Sequence, residues 1–181
     1  MGLPVISVGE GLRVWSQSSI VKKKELTVWG PYAYLRNPLY LSNFLIGLGF
    51  MVILYNPWLL LIYLTGFGML YSRIIGEEEN SLLARYGALY RDYCARVPRI
   101  FPKFVSVSSP SKPFRWSLVF KNGEHVTFLS ILLILIGLYL RQEWFQDRKI
   151  FFPARHLMID SAFFLAAILA GCLLYRKLHK K

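Results

Sequence analysis

The chain has 181 residues, 55% of them hydrophobic, and its mean hydropathy of +0.39 exceeds that of most soluble globular domains. This composition argues against a soluble domain and predicts a membrane protein. The formal net charge of +12 would suggest a nucleic acid partner in a soluble chain, but here it is better explained by membrane topology. Because the two cysteines and three histidines are scattered singly, neither a disulfide framework nor a metal site is expected.

The N-terminal part, residues 1–20, carries Glu10 and Arg13 between short apolar stretches and lacks the continuous apolar region of a secretory signal. Membrane insertion is therefore expected to depend on later segments. Four apolar segments follow and are predicted to cross the membrane, which takes a helix of about 20 residues. They cover about residues 39–55, 58–75, 126–140 and 157–175.

Only Asn56 and Pro57 lie between the first two segments. Proline stops a helix or begins the next one, so the pair predicts a tight turn between antiparallel helices. Both outer ends of this hairpin then lie at one membrane surface. That surface holds Arg36 before the first helix and the glutamates 77–79 after the second.

Basic residues orient the segments, because Lys and Arg are enriched in cytoplasmic loops. With the N-terminus inside, the cytoplasmic side holds five Lys and Arg residues before the hairpin, nine from Arg73 to Lys121 and four in the tail. The other side holds only the four between the last two segments. This bias predicts a multi-pass integral membrane protein with both termini in the cytoplasm.

An amphipathic helix at the cytoplasmic face is predicted over about residues 77–97, where apolar side chains recur at spacings of three and four. This apolar face comprises Leu82, Leu83, Tyr86, Leu89, Tyr90, Tyr93 and Val97. On the same helix Glu78 and Glu79 are predicted to turn inward, and Glu77 outward. An inward carboxylate is costly unless it is paired, which makes Arg36 the expected counterpart. The simpler alternative is an interfacial anchor beside a structural ion pair.

The predicted fold class is therefore all-α, with about four transmembrane helices and one amphipathic helix. A linker rich in Ser and Pro, residues 106–125, is predicted to separate a core, residues 1–105, from a C-terminal pair of spans, residues 126–181. The glycines inside the hairpin are predicted to mark close helix packing rather than a dinucleotide loop. They are Gly47, Gly49, Gly66 and Gly68.

Short motifs follow one another in a fixed order through the first half of the chain. They are Gly30, Pro31 and Tyr32; Arg36, Asn37, Pro38 and Tyr40; Glu78, Glu79 and Leu82; Gly87, Tyr90 and Tyr93; and Val97, Pro98, Arg99 and Pro102. This series resembles the isoprenylcysteine carboxyl methyltransferase family, which is related to the membrane phospholipid N-methyltransferases. The resemblance covers residues 9–102, roughly half of the chain.

The resemblance implies an enzyme that binds S-adenosylmethionine at the cytoplasmic membrane face and methylates a lipophilic substrate entering from the bilayer, among membrane lipids. By resemblance, the cofactor-binding residues are Gly30, Tyr32, Arg36, Asn37, Pro38, Tyr40, Glu78 and Glu79. Arg36 and Glu79 are the implied catalytic residues, and Arg73, Tyr90 and Arg99 the implied substrate residues. The chain departs from the family at Asn37, where many members have histidine, and in the register of Arg73.

These residue types suit such chemistry, because carboxylates bind cationic groups and hydroxyls, and a guanidinium pairs with a carboxylate. A carboxylate acceptor needs no general base, since it is already ionised near neutral pH. An ammonium acceptor would need one, and Glu79 is then the candidate. The expected activity is O-methylation of an isoprenoid-like carboxylate. Phospholipid amine N-methylation, an NADPH-dependent membrane reductase and a non-catalytic membrane scaffold stay as alternatives.

Overall fold

A computed structural model describes residues 2–21, 25–102 and 112–146. Throughout these ranges the regular structure is helical and no strand occurs, so the predicted all-α class is confirmed there. The elements in chain order are α1 (Gly2–Ser19), a short 3-10 helix (Gly30–Ala33), α2 (Pro38–Leu54), α3 (Pro57–Tyr86), α4 (Ala88–Arg96), α5 (Trp116–Lys121) and α6 (Glu124–Gln146).

The chain forms two compact units, Met1–His125 and Val126–Lys181. Among the described residues only α3 is both long and apolar enough to cross a membrane, while Pro38–Leu54 and Glu124–Leu140 are shorter apolar helices. Of the three predicted spans that the described residues cover, one is therefore found as a helix of spanning length. The fourth predicted span, residues 157–175, lies outside the described residues.

The N-terminal residues form α1, which packs antiparallel to α2 through glycines. A Cβ atom on Gly9 would lie 2.9 Å from the backbone nitrogen of Ile46. A Cβ on Gly49 would lie 2.9 Å from the nitrogen of Ile6, so only glycine permits this approach. The close packing predicted for Gly49 is confirmed, whereas Gly66 has nothing within 4 Å of its Cβ position.

The turn between α2 and α3 forms where the sequence predicts it. Tyr55 adopts a left-handed conformation with φ of 51° and ends α2. The Asn56 side chain then caps α3 by accepting hydrogen bonds from the backbone nitrogens of Trp58 and Leu59, at 3.0 and 3.2 Å. Pro57 occupies the first helical position, where its missing N–H costs nothing.

Helix α3 does not end near residue 75 but continues through the glutamates to Tyr86. The glutamates and leucines that follow Gly76 are good helix formers, and Gly76 has no positive φ that would break the helix. The break comes at Gly87, whose φ of 54° favours glycine and whose N–H donates to the Leu83 carbonyl at 2.9 Å. The predicted helix over 77–97 is therefore the end of α3 followed by α4.

A small hydrophobic core forms around α4, where Tyr90, Tyr93 and Val97 are buried. The partly buried side chains that pack against it are Leu26, Val28, Leu82, Leu83, Tyr86 and Cys94. The predicted apolar face is thus confirmed except at Leu89, which is 59% exposed. The break at Gly87 changes the helical phase, so Leu89 does not continue the face of α3.

The predicted linker contains α5, followed by a turn at Asn122 and Gly123. Gly123 has φ of 84°, a conformation that favours glycine. The Asn122 side-chain nitrogen donates to the Gln17 carbonyl at 3.1 Å and so ties this turn to α1. Residues 106–111 of the linker lie outside the described part of the chain.

Candidate functional site

A short segment before α2 carries the first motif and is held in place by backbone hydrogen bonds. Gly30 enters the 3-10 helix with φ of 61°. The Pro31 carbonyl accepts hydrogen bonds from the nitrogens of Tyr34 and Leu35. Tyr32 is buried, and its carbonyl accepts a hydrogen bond from the Tyr93 hydroxyl at 2.8 Å. The segment is therefore anchored to the core around α4.

Two further hydrogen bonds join this segment to the chain that follows α4. The Arg36 backbone nitrogen donates to the Pro98 carbonyl at 2.8 Å. The Asn37 side-chain nitrogen donates to the Arg99 carbonyl at 3.0 Å. Asn37 precedes Pro38, the first residue of α2, and is buried. These contacts bring the motif around Arg36 beside the motif around Arg99.

Glu79 lies at the centre of a charged cluster at the foot of the hairpin. Its Oε1 is 3.4 Å from Nη1 of Arg36, and its Oε2 is 3.1 Å from Nε of Arg99. The Asn37 side-chain nitrogen is also 3.4 Å from Oε1 of Glu79. The side chains of Arg36 and Glu79 are each 17% exposed. One carboxylate thus joins two guanidinium groups and an amide in a largely water-excluded place.

Glu78 is bound to Tyr40 rather than to Arg36: the Tyr40 hydroxyl donates a hydrogen bond to Oε2 of Glu78 at 2.6 Å. Glu78 is exposed, so the inward orientation predicted for it is not found. Tyr40 packs edge-on against Tyr71 with ring centroids 5.2 Å apart, and Tyr71 stacks on Phe67 at 3.8 Å. This aromatic series joins α2 to α3 and places Tyr40 beside Glu78.

Cys94 contacts Arg36 and was not predicted from the sequence as a site residue. Nη1 of Arg36 donates to Sγ of Cys94 at 2.7 Å. Burial lowers the pKa of Arg36, but Glu79 and then Cys94 outweigh it, so the pKa is raised and the guanidinium stays charged. Cys94 follows Tyr90 by one helical turn and so lies on the same face of the helix. That spacing was the sequence signal that could have placed Cys94 at the site.

The predicted substrate residues lie in different surroundings. Burial, followed by Cys94 and Glu79, raises the pKa of Tyr90, so its phenol stays protonated beside the cluster. Arg99 binds Glu79 directly, with its side chain 42% exposed. Arg73 lies on the exposed side of α3, and within the described ranges no ion pair includes it. The structure brings Tyr90 and Arg99 to the site and leaves Arg73 apart.

An apolar cavity of about 210 Å³ lies beside the segment that precedes α2. Its lining includes Leu12 and Trp15 from α1, Tyr34 and Leu35, and Pro102. Leu35 is the neighbour of Arg36, so the cavity adjoins the charged cluster along the chain. The site therefore combines charged groups with a small apolar recess.

In the part of the chain that the structure describes, these features define a helical protein with a helix of membrane-spanning length and a charged cluster at the foot of its hairpin. Residues 6–84 match the sequence model of the isoprenylcysteine carboxyl methyltransferase family. The matched residues make up under half of the chain, and over this part the chain is similar to that family, as its ordered motifs predict. The similarity and the length of α3 both indicate an integral membrane protein.

Two curated relatives match part of the chain, and the name of the second agrees with the resemblance. The nickel-cobalt-cadmium resistance protein NccN of Alcaligenes xylosoxydans xylosoxydans is 34% identical over 115 residues, which are 61% of this chain and 51% of that protein. The protein-S-isoprenylcysteine O-methyltransferase of Xenopus laevis is 35% identical over 77 residues, which are 42% of this chain and 27% of that protein. The chain spans about half and about a quarter of these relatives. Its described residues contain no group of three or more His, Cys, Asp or Glu suited to a metal ion.

Proposed function

We propose that this protein is a membrane methyltransferase that uses S-adenosylmethionine to methylate the carboxylate of a lipophilic, isoprenylcysteine-like acceptor. The observation that carries the proposal is the Arg36 side chain, held between Glu79 and Cys94 within the motif series of the family. The named relative of Xenopus laevis supports the same reaction.

The residues present fit the proposed cofactor. Nε of Arg36 is buried and has no hydrogen-bond partner, which suits a bound carboxylate such as that of the cofactor's amino acid part. The carboxylates of Glu78 and Glu79 suit its ammonium and ribose hydroxyl groups. When bound, the cofactor supplies an activated methyl group on a sulfonium. We assign cofactor binding to this cluster together with Gly30, Tyr32, Asn37, Pro38 and Tyr40.

Within this mechanism the chain mainly orients groups and excludes water. Arg36 binds an anionic group, and Glu79 keeps the guanidinium in place. Arg99 binds the other carboxylate oxygen of Glu79, Oε2, and Asn37 contacts the same oxygen as Arg36, Oε1. Methyl transfer is an in-line displacement, for which alignment in a dry site is the principal requirement. An ionised carboxylate acceptor needs no base, so no proton has to leave the site.

The acceptor is proposed to use the apolar recess lined by Leu12, Trp15 and Leu35. Apolar walls beside a charged cluster suit a molecule with a lipophilic chain and a carboxylate. Arg99 is the cation placed to meet that carboxylate, since it is partly exposed at the cluster. Tyr90 is buried beside the cluster as a neutral phenol. A substrate role for Arg73 has no support from its position.

We further propose four membrane spans, over about residues 39–55, 58–75, 126–140 and 157–175, with the C-terminus cytoplasmic. The sequence also predicts a cytoplasmic N-terminus, but Gly2 packs beside Gly49 near the turn of the hairpin, at the end opposite to the charged cluster. The length of α3 and the distribution of Lys and Arg support this topology. In this arrangement the charged cluster faces the cytoplasm and the recess can take its substrate from the bilayer.

Cofactor binding tests the assignment directly. Calorimetry on the purified full chain should show binding of S-adenosylmethionine, and Arg36→Ala or Glu79→Ala should weaken it by about tenfold or more, as expected when a charge-assisted hydrogen bond is lost. Glu77→Ala is the matched control, because Glu77 is exposed on the same helix two residues from Glu79. Absence of binding, or equal affinity in all three variants, would refute the proposal. Binding of NADPH instead would support the reductase.

The acceptor is identified by the stability of the product. Membranes incubated with methyl-labelled cofactor should give a lipophilic product that releases labelled methanol in mild base, as a methyl ester does. Base-stable label would show N-methylation and overturn the carboxylate acceptor. Intact cofactor binding with no labelled product from any membrane fraction would favour the scaffold.

A further inference from the structure

A second charged cluster lies on α1, and its charged residues differ from those of the cluster around Glu79. Nε of Arg13 is 2.5 Å from Oε1 of Glu124, the first residue of α6. Nη1 of Arg13 donates to Oδ1 of Asn43 on α2. Glu10 precedes Arg13 by three residues and so shares its helix face. All four residues belong to the unit Met1–His125.

Several oxygen atoms in this cluster are buried without a hydrogen-bond donor. Glu124 is 2% exposed, and its Oε2 has no partner. Both carboxylate oxygens of Glu10 are likewise buried and unpartnered. Gln17 lies on the same face of α1, is 7% exposed, and also has a buried side-chain oxygen without a partner. Buried acceptors of this kind need a donor, because leaving them unsatisfied costs free energy.

The charges of the cluster do not balance. The groups that act on the charge of Glu10 are Glu124, of the same sign, and Arg13, of opposite sign. Of the elements packed against α1, α2 contributes the neutral side chain of Asn43. The 3-10 helix contributes the phenol of Tyr32, whose pKa the charge of Arg13 acts to lower. Lys121 of α5 is not among the groups that act on Glu10. Among the described residues, two carboxylates therefore share one guanidinium, and one further positive charge would balance the cluster.

We propose that Glu10 and Glu124 form a proton-binding site, in which Glu10 holds one proton taken from water at neutral pH and returns it to water as the pH rises. A proton fits better than a larger cation because Glu124 is almost fully enclosed, and the protonated carboxyl also supplies a donor to the unpartnered oxygens. Burial first, and then the charge of Glu124, raise the pKa of Glu10 from 4.5 to about 7, against the opposing effect of Arg13.

The proton site couples folding to pH with a definite sign. Since the pKa of Glu10 is higher in the folded chain than in the unfolded chain, the folded chain holds a proton that the unfolded chain has lost between pH 4.5 and about 7. The stabilising contribution of Glu10 is complete below pH 4.5 and is lost as the pH rises to about 7. Above that range its contribution no longer changes.

Infrared spectroscopy of the purified full chain, without cofactor, tests the site. Between about pH 5 and about pH 9 the wild type should lose the carbonyl stretch of one protonated carboxylic acid, with a midpoint near pH 7. Glu10→Gln should lack this band. Glu25→Gln, which removes an exposed carboxylate paired with Lys112, should keep it. No titrating band in the wild type, or an unchanged band in Glu10→Gln, would overturn the proposal.

A second variant keeps the test decisive if Glu10→Gln does not fold. Glu124→Gln removes the negative charge that repels the Glu10 carboxylate and leaves the attraction of Arg13. The midpoint of the band should therefore move to lower pH by about one unit or more. An unchanged midpoint would overturn the pairing of the two carboxylates.

Discussion

At the scale of single residues, Arg36 shows how a motif residue acquires its surroundings. The sequence predicted Glu78 and Glu79 as its partners, and the structure brings Glu79 within 3.4 Å of it. It also adds Cys94, which lies 58 positions later on another helix. Sequence spacing alone could not pair these residues, because their proximity depends on how α4 packs against the segment before α2.

Cys94 is predicted to position Arg36 for the cofactor. Cys94→Ala removes one acceptor of the guanidinium, so calorimetry should show a two- to tenfold loss of S-adenosylmethionine affinity, the effect of roughly one hydrogen bond. Cys94→Ser retains an acceptor and should recover most of the affinity. Cys172→Ala is the control, because it removes the other cysteine of the chain. Unchanged affinity in Cys94→Ala would rule out this positioning role.

At the scale of elements, the helix ends were predictable where one residue determines the backbone. Asn56 and Pro57 cap α3 as expected, whereas the end of α3 at Gly87 rather than near residue 75 was not predicted. A hydropathy pattern shows where apolar residues stop, but it does not show whether the helix stops there as well. A continuous α3 matters because it carries Glu78 and Glu79 on the same rigid helix as the hairpin.

The contact of α1 with α2 is predicted to depend on glycine at position 49. In Gly49→Ala the new Cβ would lie 2.8 Å from the Gly2 carbonyl oxygen and 2.9 Å from the Ile6 nitrogen. The helices must therefore move apart, which should lower the free energy of unfolding by about 1–3 kcal/mol. Thermal unfolding followed by circular dichroism measures this loss.

The matched control for that substitution is Gly66→Ala. Its Cβ has nothing within 4 Å, so the variant should be neutral or stabilised by about 1 kcal/mol through better helix propensity. Equal effects of the two substitutions would contradict the close contact of α1 with α2.

At the scale of the whole molecule, the proposed topology predicts where the termini lie. A tag at the C-terminus should be digested by protease only when the cytoplasmic face is exposed, because most Lys and Arg residues flank that face. A tag at the N-terminus should be digested only from the opposite face, because Gly2 packs beside Gly49 near the turn of the hairpin. A tag at about residue 148 should behave like the N-terminal tag, and digestion of the C-terminal tag and the residue-148 tag from the same face would contradict the fourth span.

The sequence by itself determined the helical class, the two-residue turn at Asn56 and Pro57, and the order of motifs that resembles the family. Each of these depends on composition, local backbone preference or spacing along one element. Only the tertiary structure placed Arg99 and Cys94 around Arg36, and it alone joined Arg13 to Glu124 across 111 positions. Such contacts depend on which helix faces pack together, and packing of distant segments leaves no local pattern in the sequence.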